Sequence, residues 1–173
     1  MAKLLTGSEF ADLFCTFSLY AWRWESAPGY ADQALLEQIS AGAEPHEIPQ
    51  WATYLDRVRG YSKLGEFGRA CADDDPLTEY QRLRRSAEPW HWDAGETVQH
   101  LTRAKATELG LPWYDFWLFD GKRLTLLLFD SAGKLVTRIL IEYDESPETV
   151  IQHCVWRDLA IQHATKAVAG FTA

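Results

Sequence analysis

Residues 111–143 constrain the fold more than any other part of this sequence. They read LPWYDFWLFDGKRLTLLLFDSAGKLVTRILIEY, in which three runs of apolar and aromatic residues are separated by short polar segments. Asp120-Gly121 and Ser131-Ala132-Gly133 have the residue types that tight turns require. The pattern predicts three successive strands joined by short turns. It carries no recognisable catalytic signature.

The rest of the chain predicts helices and further strands. A chain of 173 residues is most simply a single domain over residues 1–173. Capping residues and helical periodicity predict an opening helix with Ser8 as its N-cap, then helices over 31–41, 49–62, 76–85, 102–110 and 147–168. Strands are predicted over 17–24 and 66–72, a loop over 89–95, and a strand or a helix start over 96–101. The predicted fold class is α+β: a mostly antiparallel sheet with a C-terminal three-stranded meander and helices packed on it.

Charge and cysteine content restrict the partners and the compartment. The formal net charge is −8, and an acidic field repels phosphate, which argues against nucleic acid as a partner. Cys15, Cys71 and Cys154 have neither zinc nor disulfide spacing, so buried thiols in a reducing compartment are expected. No apolar run approaches the roughly 18 residues of a membrane helix. The expected location is the cytoplasm, without a membrane partner.

The segment 90–96 is the best candidate for acid–base chemistry. It reads Trp-His-Trp-Asp-Ala-Gly-Glu, which places His91 between two indoles and near the carboxylates of Asp93 and Glu96. Desolvation by the rings would raise the pKa of a carboxyl group and lower that of the imidazole, toward the working range of a general acid–base pair. A structural alternative is a loop that covers the core, with Asp93 as a cap and Glu96 closing a capping box.

An excess of aromatic residues predicts a cleft or a protein contact. Eight Trp are more than a core of this size needs, because each buried indole N–H requires a partner. The candidate ligand-binding residues are Trp22, Trp24, Tyr80, Arg82, Trp90, Trp92 and Trp117. Arg82, with Arg84 and Arg85, could meet a phosphate, or these cations could instead stabilise the C-terminal end of their helix.

No metal site or cofactor is predicted. His153 and His163 are ten residues apart on the last predicted helix, which separates them by about 15 Å along its axis, so they cannot share an ion. Arg157 and Asp158 lie between them, and a structural ion pair is expected there, with Asp115, Asp120 and Glu142 as possible partners of Arg157. Phosphate loops, nucleophile elbows and dinucleotide fingerprints are absent from the sequence.

Several short elements resemble a known family. They are Pro76-Leu77-Thr78-x-Tyr80-x-Arg82, Ala94-Gly95-Glu96, Gly110-Leu111-Pro112, the FWLFD strand that ends at Asp120, Phe129-Asp130-x-x-Gly133 and Arg157-Asp158. In this order they resemble an uncharacterised actinobacterial family with a domain of unknown function, over about residues 8–168. The resemblance implies genes that often lie beside helix-turn-helix regulators or in specialised-metabolism clusters. It implies no activity.

Two functional hypotheses follow. In the first, the domain binds a small apolar molecule or a protein partner through an aromatic-rich cleft, and acts with a transcription regulator. In the second, it is a small metal-free enzyme of specialised metabolism, a cyclase, isomerase or hydrolase, in which His91, Asp93 or Glu96 moves protons in a Trp-lined pocket. A deep pocket walled by Trp22, Trp90, Trp92 and Trp117 with a carboxylate at its floor would favour the enzyme.

Overall fold

One mixed β-sheet organises the chain. The computed structural model describes residues 2–166, without the side chain of Lys166. The strands in this part are β1 Lys3–Leu4, β2 Tyr20–Glu25, β3 Glu66–Asp73, β4 Thr97–Thr102, β5 Asp115–Phe119, β6 Arg123–Phe129, β7 Leu135–Glu142 and β8 Thr165–Lys166. Their order in the sheet is β1-β7-β6-β5-β2-β3-β4-β8. Only β2–β3 and β3–β4 pair in parallel among these strands. The prediction of an α+β domain with a mostly antiparallel sheet is therefore confirmed.

Helices cover both faces of the sheet. Their bounds are α1 Gly7–Leu13, α2 Gln33–Ser40, α3 Pro49–Tyr61, α4 Glu79–Asp93, α5 Arg103–Glu108 and α6 Pro147–His163, with a 3₁₀ turn at Pro45–Glu47. α2 and α3 connect β2 to β3, and α4 connects β3 to β4, which are crossovers of the kind that parallel neighbours require. Within residues 2–166, no helix combines the length and the apolar character needed to cross a membrane.

The alternation of side chains in each strand creates two cores. Ala21 faces the side that α1, α2, α3 and α4 cover, and its neighbour Trp22 faces the side that α5 and α6 cover. We call the first the α1–α4 side and the second the α5–α6 side. Trp117 lies on the α1–α4 side, whereas Phe116 packs on the α5–α6 side. Whether a residue stands at an odd or an even position in its strand thus determines which of the two cores its side chain joins.

The largest correction to the predicted elements concerns α4. Residues 76–85 and 89–95 were predicted to be a helix and a loop, but α4 runs from Glu79 to Asp93 without interruption. Thr78, rather than an Asp, is its N-cap and forms a capping box with Gln81. Pro89 removes one helical hydrogen bond, but a stripe of buried residues on one face of α4 carries the helix through it: Tyr80, Arg84, Ala87, Glu88 and His91.

Smaller corrections occur at both ends of the chain. Thr6 caps α1 in place of Ser8, because its hydroxyl accepts from the Glu9 N–H while the Glu9 carboxylate accepts from the Thr6 N–H. β2 begins at Tyr20 rather than at residue 17, since the N–H groups of Ser18 and Leu19 donate to the Asp120 carboxylate and not to a strand. Residues 96–101, left open between strand and helix, correspond to β4.

The last helix is shorter than predicted and turns a different face inward. α6 ends at His163, Thr165 belongs to β8, and residues 167 and 168 of the predicted helix lie outside the described residues. An inner stripe of Val150, Ile151, Cys154, Val155 and Leu159 is predicted for this helix, but the side chains of Ile151 and Val155 are exposed. The fully buried positions are Val150, His153 and Ala160.

Candidate functional site

A cavity of about 380 Å³ lies on the α1–α4 side of the sheet. This volume is within the range of small-molecule sites in proteins, about 300–1,000 Å³. Strands β2, β3, β5 and β6 and the start of β7 form its floor. Helices α1, α2, α3 and α4 form its walls. The lining residues that matter below are Arg23, Glu25, Tyr30, Asp32, Leu35, Gln50, Trp51, Tyr54, Arg69, Tyr80, Arg84, His91, Trp117 and Phe129.

Aromatic side chains form two groups on the walls. In the first group, the ring centroid of His91 lies 5.1 Å from that of Trp51 and 5.6 Å from that of Tyr54, both edge-to-face. In the second group, the ring of Tyr30 lies 5.9 Å from Tyr80 and 5.1 Å from Phe129. Edge-to-face packing holds these rings in fixed orientations. The cavity therefore has rigid apolar walls.

Three buried arginines lie beneath these rings, and we call Arg23, Arg69 and Arg84 the arginine cluster. Arg23 and Arg69 are direct neighbours in the parallel register of β2 and β3. Both contact Oε1 of Glu25, at 3.0 Å from Arg23 and 2.8 Å from Arg69, and Nη1 of Arg84 lies 3.7 Å from Oε2. Burial raises the pKa of Glu25, but the three guanidinium charges outweigh it and hold the pKa below its ordinary range. Glu25 is therefore ionised.

Two further carboxylates hold the outer ends of the cluster. Asp115 binds Nη2 of Arg23 at 3.1 Å and accepts from the hydroxyl of Tyr30. Asp73 binds Arg84 and lies 2.7 Å from Nδ1 of His100. Burial raises the pKa of Asp73, but the hydrogen bond from His100 and the charge of Arg84 bring it to about 2. The cluster is thus anchored by a carboxylate on each side.

The third arginine connects the cluster to His91. Nε of Arg69 lies 2.7 Å from Oε1 of Glu96, and Nδ1 of His91 lies 2.6 Å from Oε2 of the same carboxylate. Burial raises the pKa of Glu96, yet the charges of Arg69 and His91 lower it to about 2. The expectation that desolvation raises the pKa of this carboxyl group is wrong. Its physical reason is the guanidinium charge of Arg69 together with the hydrogen bonds from Arg69 and His91, contacts that the sequence did not reveal.

A carboxylate can only accept, and this fixes the role of His91. Nδ1–H of His91 donates to Oε2 of Glu96, because an ionised carboxylate cannot donate, and Nη2 of Arg69, 3.1 Å from the same nitrogen, is itself a donor and cannot accept this proton. Within residues 2–166, Nε2 of His91 makes no hydrogen bond or ion pair. His91 is one of the residues that line the cavity.

The groups that the cavity offers are cations rather than anions. The side chains of Arg23, Arg69 and Arg84 are 19%, 11% and 7% exposed, whereas those of Glu25, Glu96 and Asp115 are 2%, 1% and 1% exposed. In the described part of the chain, nothing accepts a hydrogen bond from four buried donors in the lining residues: Nε of Arg23, Nε and Nη1 of Arg84, and Nε1 of Trp51. The lining has more donors than acceptors.

The structure brings some predicted site residues together and separates others. Tyr80, His91 and Trp117 line the cavity, and Glu96 lies directly behind His91. Trp22 and Trp24 belong to the core on the α5–α6 side, so they cannot reach it.

The remaining predicted residues lie outside the cavity lining. Asp93 is exposed, 3.6 Å from Arg59, and Arg82 is exposed and donates to the carbonyl of Leu77. Trp90 and Trp92 are half-buried and do not line the cavity.

The sequence analysis missed the arginine cluster, although a signal for it was present. Arg23-x-Glu25 and Arg69-x-Cys71-x-Asp73 put charged and polar residues at every second position of two strands that are otherwise apolar. Side chains at alternate positions share one face of a strand, so these spacings place charges on a single buried surface. Trp51 and Tyr54, one helical turn apart on α3, complete the wall.

The predicted features of the last helix have a structural role. Arg157 stacks over the ring of Tyr20, with its Cζ 4.0 Å from the centroid, and binds Asp158 at 2.9 Å. Its other carboxylate neighbour is Glu66, at 3.6 Å, so the suggested partners on the later strands were wrong. Among residues 2–166, no three His, Cys, Asp or Glu side chains are grouped as metal ligands would be.

Comparison with known proteins places the chain in a family. No curated protein matches it. A model of one protein family, described as a domain of unknown function (DUF6879), matches residues 8–169. This match covers nearly the whole chain, and the chain therefore belongs to the DUF6879 family.

Proposed function

We propose that this domain binds a small molecule in the cavity on the α1–α4 side. The observation that carries the proposal is a cavity with aromatic walls above a largely buried set of ion pairs that leaves some arginine N–H groups without an acceptor. Aromatic and apolar walls with a few fixed polar groups are the usual composition of a ligand site. The walls would provide most of the contact area, and the polar groups would set the orientation of the ligand.

The energetics of the charges supports binding rather than a role in stability alone. Several kcal/mol of desolvation are needed to bury each ion, and well-packed apolar residues often stabilise a fold as well or better. Arg23, Glu25 and Arg69 occupy strand positions where apolar side chains would complete the core. Charges placed at such positions, and open to a cavity, suit recognition of a polar group.

A neutral fluorescent probe tests whether the cavity binds. N-phenyl-1-naphthylamine, whose emission rises in an apolar site, should bind the native protein in a saturable manner. Leu35→Trp fills the cavity from α2 and should weaken binding at least about tenfold, because Leu35 is a half-buried lining residue. Leu83→Trp is the control, since Leu83 packs on the same core without lining the cavity. Equal binding by both variants would refute the proposal.

A metal-free enzyme is the second candidate, and one observation favours it. His91 lines the cavity with Nδ1–H held by Glu96 and with Nε2 unpaired, which is how a general base is oriented. Glu96 itself would remain ionised and would orient the imidazole rather than transfer protons. Of the three predicted acid–base residues, this reading assigns proton transfer to His91 and gives Asp93 no part.

We also propose a cellular location and a protein partner for this domain. The thiols of Cys15, Cys71 and Cys154 are unpaired, which suits the reducing environment of the cytoplasm. A ligand-binding domain encoded beside a helix-turn-helix regulator, as the actinobacterial resemblance implies, could report its ligand to that regulator. Co-purification of the two proteins with and without ligand would test this partnership, and failure to associate in both states would refute it.

A further inference from the structure

We infer that the ligand is a small organic carboxylate with an aromatic or apolar body, whose single negative charge is bound by Arg23 and Arg69. This inference rests on the proposed function, since it names the class of molecule that the same cavity binds. Its basis is the chemistry of the lining: guanidinium groups face the cavity, and their carboxylate partners lie beneath them.

The protein leaves some N–H donors of the arginine cluster without a partner. An arginine side chain has five N–H groups. Arg23 contacts one oxygen of Glu25 and one of Asp115, so three of its five N–H groups have no carboxylate partner. Arg69 is more fully engaged, by Glu25, Glu96 and Tyr54. Arg23, the most exposed of the three arginines, is therefore the main donor to a ligand.

The charged groups around the cavity are largely paired with one another. Four guanidinium groups, of Arg23, Arg69, Arg84 and Arg85, are paired with four carboxylates, of Glu25, Asp73, Glu96 and Asp115. At the far end, His100 is paired with Glu88. Within the lining itself, the three guanidinium groups exceed the two carboxylates, of Glu25 and Asp32, by one charge, which suits a ligand with one negative charge better than one with two. A flat carboxylate also matches the planar fork of a guanidinium.

Besides Glu25, the lining contains the carboxylate of Asp32. Asp32 would repel an anion, but it accepts a hydrogen bond of 2.7 Å from the hydroxyl of Tyr80. Arg23 stacks on Tyr30, with its Cζ 5.2 Å from the ring centroid, and Tyr30 packs on Tyr80. Tyr30 and Tyr80 thus connect Arg23 to Asp32, and the anion is expected at the arginine end of this row.

Two probes of the same shape test the inference. 2-Naphthoate and 2-naphthamide differ in charge but share the ring system and a planar substituent. Isothermal titration calorimetry at pH 7.5 should give 2-naphthoate at least about tenfold tighter binding than 2-naphthamide, equivalent to about 1.4 kcal/mol. Arg23→Lys keeps the charge but removes the fork, and should reduce this preference to about threefold or less.

A charge change at the cavity rim keeps the test independent of the buried ion pairs. Gln50 is an exposed lining residue in the first turn of α3, where a carboxylate is well tolerated. Gln50→Glu should weaken 2-naphthoate about threefold or more and leave 2-naphthamide within twofold. Gln162→Glu, an exposed residue of α6 on the other side of the sheet, is the matched control and should change neither.

The outcomes separate this inference from the proposed function. Equal affinity for both probes, or equal weakening of both by Gln50→Glu, overturns the charge preference and leaves the cavity as a binding site. Binding of neither probe overturns the inference, and the proposed function fails with it if N-phenyl-1-naphthylamine also does not bind. Preference for 2-naphthoate that responds to Gln50→Glu but not to Gln162→Glu supports the inference.

Discussion

His91 and Glu96 are joined by two hydrogen bonds, one between side chains and one between backbones. Nδ1 of His91 lies 2.6 Å from Oε2 of Glu96, and the Glu96 N–H donates to the His91 carbonyl at 2.9 Å. With the bond from the Gly95 N–H to the Trp92 carbonyl, this is the Schellman motif that ends a helix. The turn that closes α4 therefore also sets the side-chain pair at the cavity.

Substitution of Gly95 should disturb this pair. Gly95 has φ of 95°, and a Cβ atom there would lie 2.6 Å from Oγ of Ser62. We expect Gly95→Ala to lower the free energy of unfolding by about 1–3 kcal/mol, since left-handed backbone and a close contact both oppose it. The variant should also shift the imidazole NMR signals of His91.

The control for this substitution is Gly42→Ala. Gly42 has a similar φ of 99°, but a Cβ atom there would meet nothing within 4 Å. It should share the backbone strain and leave the imidazole NMR signals of His91 unchanged. An identical effect of both variants on His91 would show that the turn does not control the pair.

Glu96→Gln should be strongly destabilising. The variant keeps the shape of the side chain but leaves the buried Arg69 and His91 without their shared anion. Removal of one partner from a buried ion pair typically reduces the free energy of unfolding by about 3–5 kcal/mol. Urea unfolding measures this loss. Asp93→Asn is the matched control and should stay within about 0.5 kcal/mol, because Asp93 is exposed. A loss below 1 kcal/mol for Glu96→Gln would contradict the ion-pair account.

Acid should unfold the domain through its buried carboxylates. The folded-state pKa values of Asp73 and Glu96 are lowered to about 2, below the ordinary values of 3.8 and 4.5. Their contribution to stability is therefore complete above those ordinary values and is lost as the pH falls through the folded-state values. The free energy of unfolding should decrease steeply between pH 4.5 and pH 2, measured by urea unfolding at each pH. A flat profile in this interval would contradict the assignment of ionised carboxylates.

The contribution of His100 to stability has the opposite pH dependence and changes at higher pH. Burial lowers its pKa, but hydrogen bonds to Asp73 and Glu88 raise it above the ordinary 6.5. The stability that His100 contributes is complete below pH 6.5 and is lost as the pH rises through its folded-state pKa. The pKa of His153 is lowered by burial, so its contribution rises with pH below 6.5 and is complete above that value, outside the interval in which His100 acts. Comparison with His100→Gln isolates the His100 contribution, and an unchanged profile above pH 6.5 would contradict it.

The sequence revealed the sheet more readily than the site, for a physical reason. Strands such as β5 and β6 are mostly apolar, and turn residues such as Gly121 and Gly133 have positive φ. These are local signals, so they can be read without knowing the partners. α4 was divided in the prediction because Pro89 is a local signal for a break, whereas burial of its inner stripe depends on the sheet below.

The arginine cluster depends on contacts between distant residues. Arg23 and Arg69 are 46 positions apart in the numbering and become neighbours only through the pairing of β2 with β3. The sequence placed the pKa of Glu96 too high because the partner that lowers it, Arg69, lies 27 residues away. His91 was found because the motif around it is local. Alternating charges in a buried strand are the one sequence signal that could have indicated the rest.

Substitutions of Trp24 and Trp51 should distinguish an effect on stability from an effect on ligand binding. Trp24 is fully buried on the α5–α6 side, and its Nε1–H donates to the carbonyl of Pro112 at 2.9 Å. Trp24→Phe removes that donor and should lower the free energy of unfolding by about 1–3 kcal/mol, with unchanged affinity for 2-naphthoate.

Trp51→Phe makes the same chemical change at the cavity wall and should have the opposite profile. No group within residues 2–166 accepts from Nε1 of Trp51, so loss of its N–H breaks no hydrogen bond there. The free energy of unfolding should fall by less than in Trp24→Phe, while the smaller ring and the lost donor weaken 2-naphthoate binding about threefold or more. Urea unfolding and calorimetry on both variants give the comparison. If Trp24→Phe weakens the ligand as much as Trp51→Phe, the ligand does not distinguish the two faces of the sheet, and the cavity on the α1–α4 side is not where it binds.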